Sequence, residues 1–257
     1  MKLDVVYPFT AKSKRGDDFE LRYSLRSLNE QPWVGNLFIA GAKPEWIKNA
    51  HHINKGDQWS YEFKDKNIIK KMLTACVDDR VGDPFVANSD DQYWMKLVKP
   101  EEMLIPPREN PAQMEMDKDK AFRRQGFRPW RNQWVKRQFE TIEFLRNKQK
   151  STICFDGHVP YLIEKDRYLK TMSQIPWEMG NGLLIVVYHG WNWEALVNGN
   201  RIEDRDGVLV RIKLDMNPEQ ITEKTKDALF LNHNNKALAI GMREFLQKRF
   251  PHPSRWE

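Results

Sequence analysis

The fold of this chain is decided by residues 84–94, which read PFVANSDDQYW. A short apolar run ends in two adjacent carboxylates, Asp90 and Asp91, and an aromatic pair follows. Unpaired carboxylates beside an apolar core are costly, but they suit a hard divalent cation, which prefers oxygen ligands and binds phosphate oxygens. Acidic pairs are also common in turns and at helix N-termini, where they accept backbone hydrogen bonds. The stretch therefore predicts a buried strand that ends either in a plain turn or in a metal–phosphate site.

The composition is typical of a soluble globular protein. The chain has 257 residues, of which 40% are hydrophobic and 30% are charged, and this suffices for the core of one α/β domain. No run approaches the about 18 apolar residues that a membrane span needs, and the N-terminus lacks a signal-peptide pattern. Cys76 and Cys154 lie in apolar segments, as buried thiols of a reducing compartment do. We expect one catalytic domain over residues 1–257 in the cytoplasm, which is the host cytoplasm if a phage encodes the chain.

Strands and helices are predicted to alternate along the first ninety residues. Leu21, Leu25 and Leu28 recur at the spacing of an amphipathic helix, with Asp17 and Glu20 as a capping box. The predicted elements are a strand over 3–7 closed by Pro8, a helix over 19–28, a strand over 36–41, a helix over 67–77 and a strand over 84–88. This order indicates an α/β fold, with a mixed sheet and helices on both faces, whose ligands sit at the carboxyl ends of strands.

The remainder of the chain is less regular. Residues 99–133 are rich in Pro, Met, charged and aromatic residues, and we interpret them as an inserted loop region. Further strands are predicted over 152–155, 208–214 and 229–231, and helices over 134–147, 165–172 and 236–250. Residues 182–188 fit either a buried strand or a buried helix.

Polar side chains follow three of the predicted strands. Asp90 and Asp91 follow the first, Asp156 and His158 the second, and His233 the third. Asp and His together can complete a Mg²⁺ or Mn²⁺ site with open positions for phosphate and water, whereas zinc normally takes more His or Cys. Individually, His158 also fits a turn cap and His233 a polar loop residue. Their shared position at strand ends favours a common site, with Asp91 and His233 as metal ligands.

An ordered series of segments resembles one transferase family. The segments are FELRYSLRSL at 19–28, the Pro-Trp pair at 32–33, residues 66–69, 79–81 and 88–93, DGHVP at 156–160, and the ending 250–257. Together they resemble the GT-A-like nucleotide-sugar transferases of the Stealth and capsular-polysaccharide type. The chain departs from that pattern at Ser89, where Asn is usual, and the resemblance does not cover residues 99–150.

The resemblance implies a GT-A-like, Rossmann-like domain that binds a nucleotide-sugar, such as a UDP-sugar, together with Mn²⁺ or Mg²⁺. By this resemblance Asp91, with Asp90, holds the metal and the diphosphate. The positions implied to contact the donor are Tyr7, Arg22, Arg26, Lys66 and Asp90. For the two arginines, which are four residues apart, a solvated helix face is the ordinary alternative.

The expected chemistry is transfer of a sugar to a hydroxyl group. A divalent ion and cationic side chains would neutralise the charge that develops on the departing nucleoside diphosphate. The acceptor hydroxyl needs a general base, for which Asp156 and His158 are the candidates. The pattern is compatible with either inversion or retention at the anomeric carbon.

The positive charge of the chain is concentrated in one segment. Residues 118–150 contain eleven Lys or Arg against three Asp or Glu, whereas the whole chain has a net charge of +6. Clustered cations with interleaved aromatic rings favour a nucleic acid. The predicted nucleic-acid-binding residues are Arg123, Arg124, Arg128, Trp130, Arg131, Lys136 and Arg137. The alternative is that the rings pack against the core while the charges face water.

These observations favour a glycosyltransferase that modifies a hydroxymethylated base in DNA, as some phages do. A saccharide or lipid-linked acceptor is nearly as well supported. The alternatives are a Stealth-type sugar-phosphate transferase acting on a polysaccharide, and a non-catalytic nucleic-acid-binding protein. A nuclease could also use paired Asp residues, but no further acidic cluster supports a two-metal site.

Overall fold

The computed structural model describes residues 2–10, 18–60, 63–108, 133–155, 158–178, 184–197, 208–234 and 236–257. These residues form a mixed α/β structure, as the sequence predicts, but with two sheets where one was expected. In this part of the chain, no helix has both the length and the apolar character that a bilayer crossing requires.

The strands and helices follow one another along the whole chain. The strands are β1 (Leu3–Phe9), β2 (Val34–Gly41), β3 (His51–Ile53), β4 (Phe85–Ala87), β5 (Gln92–Trp94), β6 (Tyr161–Ile163), β7 (Leu209–Ile212) and β8 (Phe230–His233). The helices are α1 (Phe19–Leu28), α2 (Lys64–Val77), α3 (Gln133–Asn147), α4 (Lys165–Ser173), α5 (Leu184–Trp191), α6 (Trp193–Val197), α7 (Pro218–Thr225) and α8 (Ile240–Arg249). A short 3₁₀ helix covers Pro100–Met103.

The first sheet has five strands in the order β3-β2-β1-β4-β6. Its first four strands are parallel, and β6 runs antiparallel to β4. Successive residues of β1 point to opposite faces, as the pleat requires. Val5 joins a core with Leu21 and Leu25 of α1, whereas Val6 joins a second core with Met72 of α2. Helices therefore cover both faces of this sheet.

The second sheet has three strands in the order β5-β8-β7. One face, with Trp94 and Phe230, packs into the same core as α1, and the other carries Tyr93 and Leu231. The open edge of β5 is covered by α1, because Ser24 Oγ donates to Gln92 O at 2.7 Å and Trp94 N donates to Ser27 Oγ at 3.1 Å. Two serines of one helix thus fix the second sheet to the first.

Several predicted elements are corrected by the structure. β1 continues through Pro8 to Phe9. The carbonyl of Val6 accepts from Asn88 N, so Val6 and Pro8, two residues later, direct their backbone groups toward the β4 side. Because β4 ends at Ala87, the N–H that proline lacks has no strand partner to lose there. Residues 184–188, from the segment that fits strand or helix, belong to α5.

The strand predicted over 152–155 is wrong. These residues are irregular, and the segment is apolar because Cys154 packs with Leu145 of α3 and Val186 of α5. The strand that joins the sheet is β6, which the sequence pattern did not predict, and β5 was not predicted either. Of the predicted insert over 99–133, residues 99–108 and residue 133 are described.

Candidate functional site

The acidic pair lies in a turn between the two sheets. Asn88 N donates to Val6 O at 3.0 Å, which is the last bond of β4 to the central strand. The turn is closed by Gln92, whose backbone N donates to Ser89 O at 3.3 Å and whose Oε1 accepts from Ser89 N at 3.0 Å. Asp90 and Asp91 therefore stand at the carboxyl end of β4, as predicted, and in a turn as well.

A series of buried hydrogen bonds connects this turn to β1 and α1. Asn88 Nδ2 donates to the hydroxyl of Tyr7 at 2.6 Å, and that hydroxyl lies 2.9 Å from Ser24 Oγ. Burial raises the pKa of Tyr7, so its hydroxyl stays protonated. Tyr7, one of the positions implied to contact the donor, is only 1% exposed, and its hydroxyl is engaged by Asn88 and Ser24.

The electrostatics of the turn favour a bound cation. Burial, and then repulsion by Asp91, raise the pKa of Asp90 to about 7. Nearby Lys64, in the first turn of α2, opposes this shift. A divalent ion beside Asp90 would offset both the cost of burial and the repulsion by Asp91. The ionised pair therefore favours binding of such an ion.

His158 lies near the acidic pair, but it precedes β6 and does not follow a strand over 152–155 as predicted. β6 runs antiparallel to β4, with Tyr161 opposite Ala87, so the residues just before β6 lie beside the residues just after β4. The pKa of His158 is lowered to about 4, chiefly by burial. The carboxylate of Asp91 opposes this shift, and the cations of Arg211 and Lys64 reinforce it. His158 thus shares one electrostatic neighbourhood with the acidic pair.

His158 also has an unusual backbone conformation, with φ at 51°. A left-handed conformation is uncommon outside glycine, although histidine adopts it more often than most residues do. Asp156, the other predicted base, lies outside the described residues.

The predicted metal ligand His233 lies beside Tyr93 and the carboxylate of Glu20, whose Oε1 is 3.7 Å from Nε2. Asn232 and His233 point to opposite faces of the second sheet, and it is Asn232 that donates to the backbone O of Asp91 at 3.0 Å. The ring of His233 lies 2.9 Å from the Tyr93 hydroxyl through Nε2 and 3.1 Å from Asn234 O through Nδ1. Both ring nitrogens thus have protein partners.

The arginines predicted to contact the nucleotide form an ion-pair cluster with Glu257. Arg26 donates to Glu257 through Nε at 2.7 Å and through Nη2 at 3.0 Å, and Arg22 donates to the same carboxylate. Burial alone would raise the pKa of Glu257, but hydrogen bonds from Arg26, the backbone of Ser254 and Arg22 lower it to about 2. These contacts hold the C-terminal segment against α1.

Two further predicted basic residues also have protein partners. Lys66 is buried and donates to Glu178 O at 2.6 Å. Arg137, at the start of α3, forms an ion pair with Asp65 of α2. Five other predicted nucleic-acid-binding residues lie outside the described residues; they are Arg123, Arg124, Arg128, Trp130 and Arg131. Lys136 belongs to α3, but its side chain is outside the part of the chain that the structure describes.

Two cations near the acidic pair were missed by the sequence interpretation. Lys64 lies two residues before the predicted Lys66, and Arg211 lies in β7. The sequence offered a signal for Lys64, because a cation in the first turn of a helix interacts unfavourably with the helix dipole. Such a position indicates that the lysine has a role other than stabilising the helix. Arg211 gives no comparable sequence signal, since an arginine in a strand usually faces water.

The oxygen atoms around the turn fit a metal that is shared with a ligand. In the described ranges, no group of three or more His, Cys, Asp or Glu side chains is arranged as a complete metal cage. The turn instead offers two carboxylates, and the buried Oδ1 of Asn88 has no hydrogen-bond partner among the described residues. Mg²⁺ commonly takes one or two carboxylates and completes its shell with water and substrate phosphates.

A separate cavity lies beside α4. It has a volume of about 610 Å³. Two tryptophans, Trp191 and Trp193, line it together with planar polar side chains, among them Gln174 and Asn192. It shares no lining residue with the acidic turn.

No protein-family model matches this chain, and no curated protein matches it in sequence. The functional interpretation therefore depends on the residues around the turn. Two carboxylates lie there at the end of β4, and a neutral imidazole and two cations lie within electrostatic range of that site. This set can bind a metal–diphosphate group and accept a proton.

Proposed function

We propose that this protein is a metal-dependent glycosyltransferase with a GT-A-like domain, which moves a sugar from a nucleotide-sugar donor to a hydroxyl acceptor. The observation that carries the proposal is the acidic turn after β4, where burial and Asp91 raise the pKa of Asp90 to about 7. Such a carboxylate destabilises the folded protein unless a cation joins it. The parallel strands around β1 and the resemblance of the flanking segments support the same proposal.

Asp90 and Asp91 would hold Mn²⁺ or Mg²⁺, with the Oδ1 atom of Asn88 as a further oxygen close to the turn. A bound divalent ion neutralises negative charge on the departing nucleoside diphosphate. The chain contributes Lys64 and Arg211 as additional positive charge near that position. UDP-sugars are the donors to test first.

His158 acts as the general base in this proposal, with Asp156 as the other candidate. Its lowered pKa keeps the ring neutral at physiological pH, and a neutral ring has a nitrogen lone pair that can accept a proton. His158 takes the proton of the acceptor hydroxyl while the hydroxyl oxygen bonds to the anomeric carbon. The bond from that carbon to the phosphate oxygen breaks, and the nucleoside diphosphate leaves with the electron pair.

DNA with a hydroxymethylated base is the acceptor that the basic segment favours. The segment has the local positive charge and the aromatic rings that nucleic acids attract. Arg137 does not contribute to this part of the proposal, because it is paired with Asp65.

A saccharide is the second acceptor to test. The cavity beside α4 carries no argument for it, because the acceptor hydroxyl must reach the donor at the acidic turn and the cavity shares no lining residue with that turn.

The test is to incubate the protein with Mn²⁺, a panel of nucleotide sugars and either hydroxymethylcytosine-containing DNA or oligosaccharides. DNA-dependent release of nucleoside diphosphate is expected. Release that depends on oligosaccharide alone would replace the DNA acceptor with a saccharide. A phosphodiester in the product would indicate sugar-phosphate transfer.

Two variants make this test specific to the turn. Asp91→Asn is expected to abolish release, whereas Asp215→Asn, which changes an exposed carboxylate after β7, is expected to leave it unchanged. The transferase proposal fails if no nucleotide sugar is consumed in the presence of metal, or if Asp91→Asn retains full activity.

A further inference from the structure

A row of polar side chains crosses the second sheet next to the acidic turn. Strand register places Arg211 of β7 opposite Asn232 of β8, and Asn232 opposite Gln92 of β5. Residues directly opposite one another share a face, so these three side chains project to the same side. Two residues further along the strands, that face carries Leu209, Phe230 and Trp94, which belong to the core shared with α1. The polar row thus borders the apolar core at the end of the sheet where the turn lies.

Two members of the row have a clear structural role. Asn232 donates to the backbone O of Asp91 at 3.0 Å, and Gln92 Oε1 accepts from Ser89 N at 3.0 Å. They fix the backbone of the turn that carries the carboxylates.

Arg211, the third member, has a donor without a protein acceptor. Its Nη2 is enclosed, and among the described residues it has no hydrogen-bond partner. Burying a charged donor without an acceptor is costly, so an anion that bonds to this nitrogen would stabilise the protein. Several other arginines of the structure do meet a carboxylate: Arg22, Arg26, Arg80, Arg137, Arg167 and Arg249.

The surroundings of Arg211 indicate which anion fits. Arg211, Lys64 and Asp91 all act electrostatically on His158, so the four groups lie in one neighbourhood. A neighbourhood that combines two cations with the two carboxylates of the turn suits an anionic group that also carries a metal ion. A diphosphate has this character, and the planar guanidinium matches phosphate oxygens well.

We propose that Arg211 binds the diphosphate of the donor through its enclosed guanidinium nitrogen. This inference rests on the proposed function for the identity of the donor, but the binding itself does not require transfer. The alternative is that Arg211 serves only to pack β7 against the core.

The test is calorimetric titration of the full chain with inorganic pyrophosphate and with UDP, in the presence of Mg²⁺. Arg211→Gln is expected to weaken both affinities about tenfold or more, because a charge-assisted hydrogen bond is lost. Arg211→Lys keeps the charge but not the fork of donors, and is expected to restore only part of the affinity. Arg80→Gln, which removes an exposed arginine paired with Asp78, is the matched control and is expected to bind as the unmodified protein does.

Thermal unfolding without ligand separates binding from packing. Arg211→Gln is expected to unfold at the same temperature as the unmodified protein or at a higher one, because an enclosed donor without an acceptor is removed. A lower unfolding temperature for both Arg211 variants, with affinity unchanged in the folded fraction, would establish a packing role and overturn the inference. Unchanged affinity for pyrophosphate and UDP in Arg211→Gln would overturn it as well.

Failure of this inference and failure of the proposed function give different results. If Arg211 variants bind pyrophosphate and UDP weakly while the unmodified protein transfers no sugar, the diphosphate site stands and the transferase proposal fails. If sugar transfer occurs and Arg211→Gln binds both ligands normally, the transferase proposal stands and this inference fails.

Discussion

Asn88 donates a hydrogen bond of 2.6 Å to the hydroxyl of Tyr7, and this bond joins the last residue before the acidic turn to the central strand of the sheet. The same hydroxyl lies 2.9 Å from Ser24 Oγ of α1. One buried phenol therefore sets the position of the turn relative to both the sheet and the helix.

Tyr7→Phe is expected to lower the free energy of unfolding by about 1–3 kcal/mol, because Asn88 and Ser24 lose a buried partner. Urea denaturation followed by circular dichroism measures this loss. Tyr168→Phe is the control, since the hydroxyl of this buried tyrosine donates to Ile69 O at a longer distance of 3.4 Å. Equal losses in the two variants would contradict the special role of the Tyr7 hydroxyl.

The contribution of Asp90 to the stability of the metal-free protein is expected to fall as the pH rises from about 4 to about 7, whereas the lowered pKa of His158 acts in the opposite direction over this range. The pKa of Asp90 in the folded protein is raised to about 7, chiefly by burial, so the folded state binds the proton more tightly than the unfolded chain does. Ionisation of Asp90 over this range therefore opposes folding, by an amount on the order of 4 kcal/mol. Urea denaturation of the unmodified protein and of Asp90→Asn across this range measures the effect. The stability difference between them should change with pH, and a constant difference would be evidence against the shift.

The affinity for Mn²⁺ is expected to rise with pH and to level off above about 7, because protons compete with the metal for the carboxylates. Electron paramagnetic resonance of free Mn²⁺ measures the binding. Asp91→Asn should bind at least about tenfold more weakly, as expected for loss of a charged ligand, whereas Asp215→Asn should bind normally. An affinity that is independent of pH over this range would exclude these carboxylates as the ligands.

Glu257→Gln is expected to destabilise the protein by about 1–3 kcal/mol near neutral pH, because two arginines lose their shared carboxylate. The pKa of Glu257 is lowered to about 2, so this stabilisation is present above the pKa of the unfolded chain and is lost as the pH falls toward 2. The difference from the unmodified protein should therefore shrink in acid. Glu30→Gln, which removes a more exposed pair with Arg249, should cost less than about 0.5 kcal/mol at any of these pH values.

Arg137→Gln is expected to lower stability by about 3 kcal/mol, since Asp65 is left without its partner in a largely buried pair. DNA affinity, measured by fluorescence anisotropy with the folded variant, should not change. Arg131→Gln is the comparison, because it removes a charge from the same segment. A loss of DNA affinity in Arg137→Gln equal to that in Arg131→Gln would show that the ion pair opens to bind DNA.

The sequence predicted the parts of this fold that depend on local pattern. The apolar spacing of α1 and α2 gave both helices, and the run before Asn88 gave β4 and the position of the acidic pair. Residues 152–155 have a strand-like composition but are buried between helices, since burial in a helical layer selects the same apolar residues as burial in a sheet.

The candidate site was only partly predictable, because a sequence pattern locates residues only within one strand or helix. Asp90 and Asp91 follow their strand directly in sequence, so a local pattern located them. His158 was expected near them after a strand over 152–155, but it lies just before β6, which runs antiparallel to β4.

Four of the predicted cations have protein partners that are distant in sequence, among them Lys66, which donates to Glu178 O. Glu257 accepts from Arg22 and Arg26, and Asp65 accepts from Arg137. Arg211, which has an enclosed donor beside the acidic turn, had no sequence signal.

The sequence by itself determined which residues could ionise and where several helices and the strands β1, β2 and β4 would form. The tertiary structure decided which charges neutralise one another and which face the acidic turn. The physical reason is that helix and strand periodicity act over a few residues, whereas an ion pair depends on the distance between atoms that the chain brings together only when it is folded.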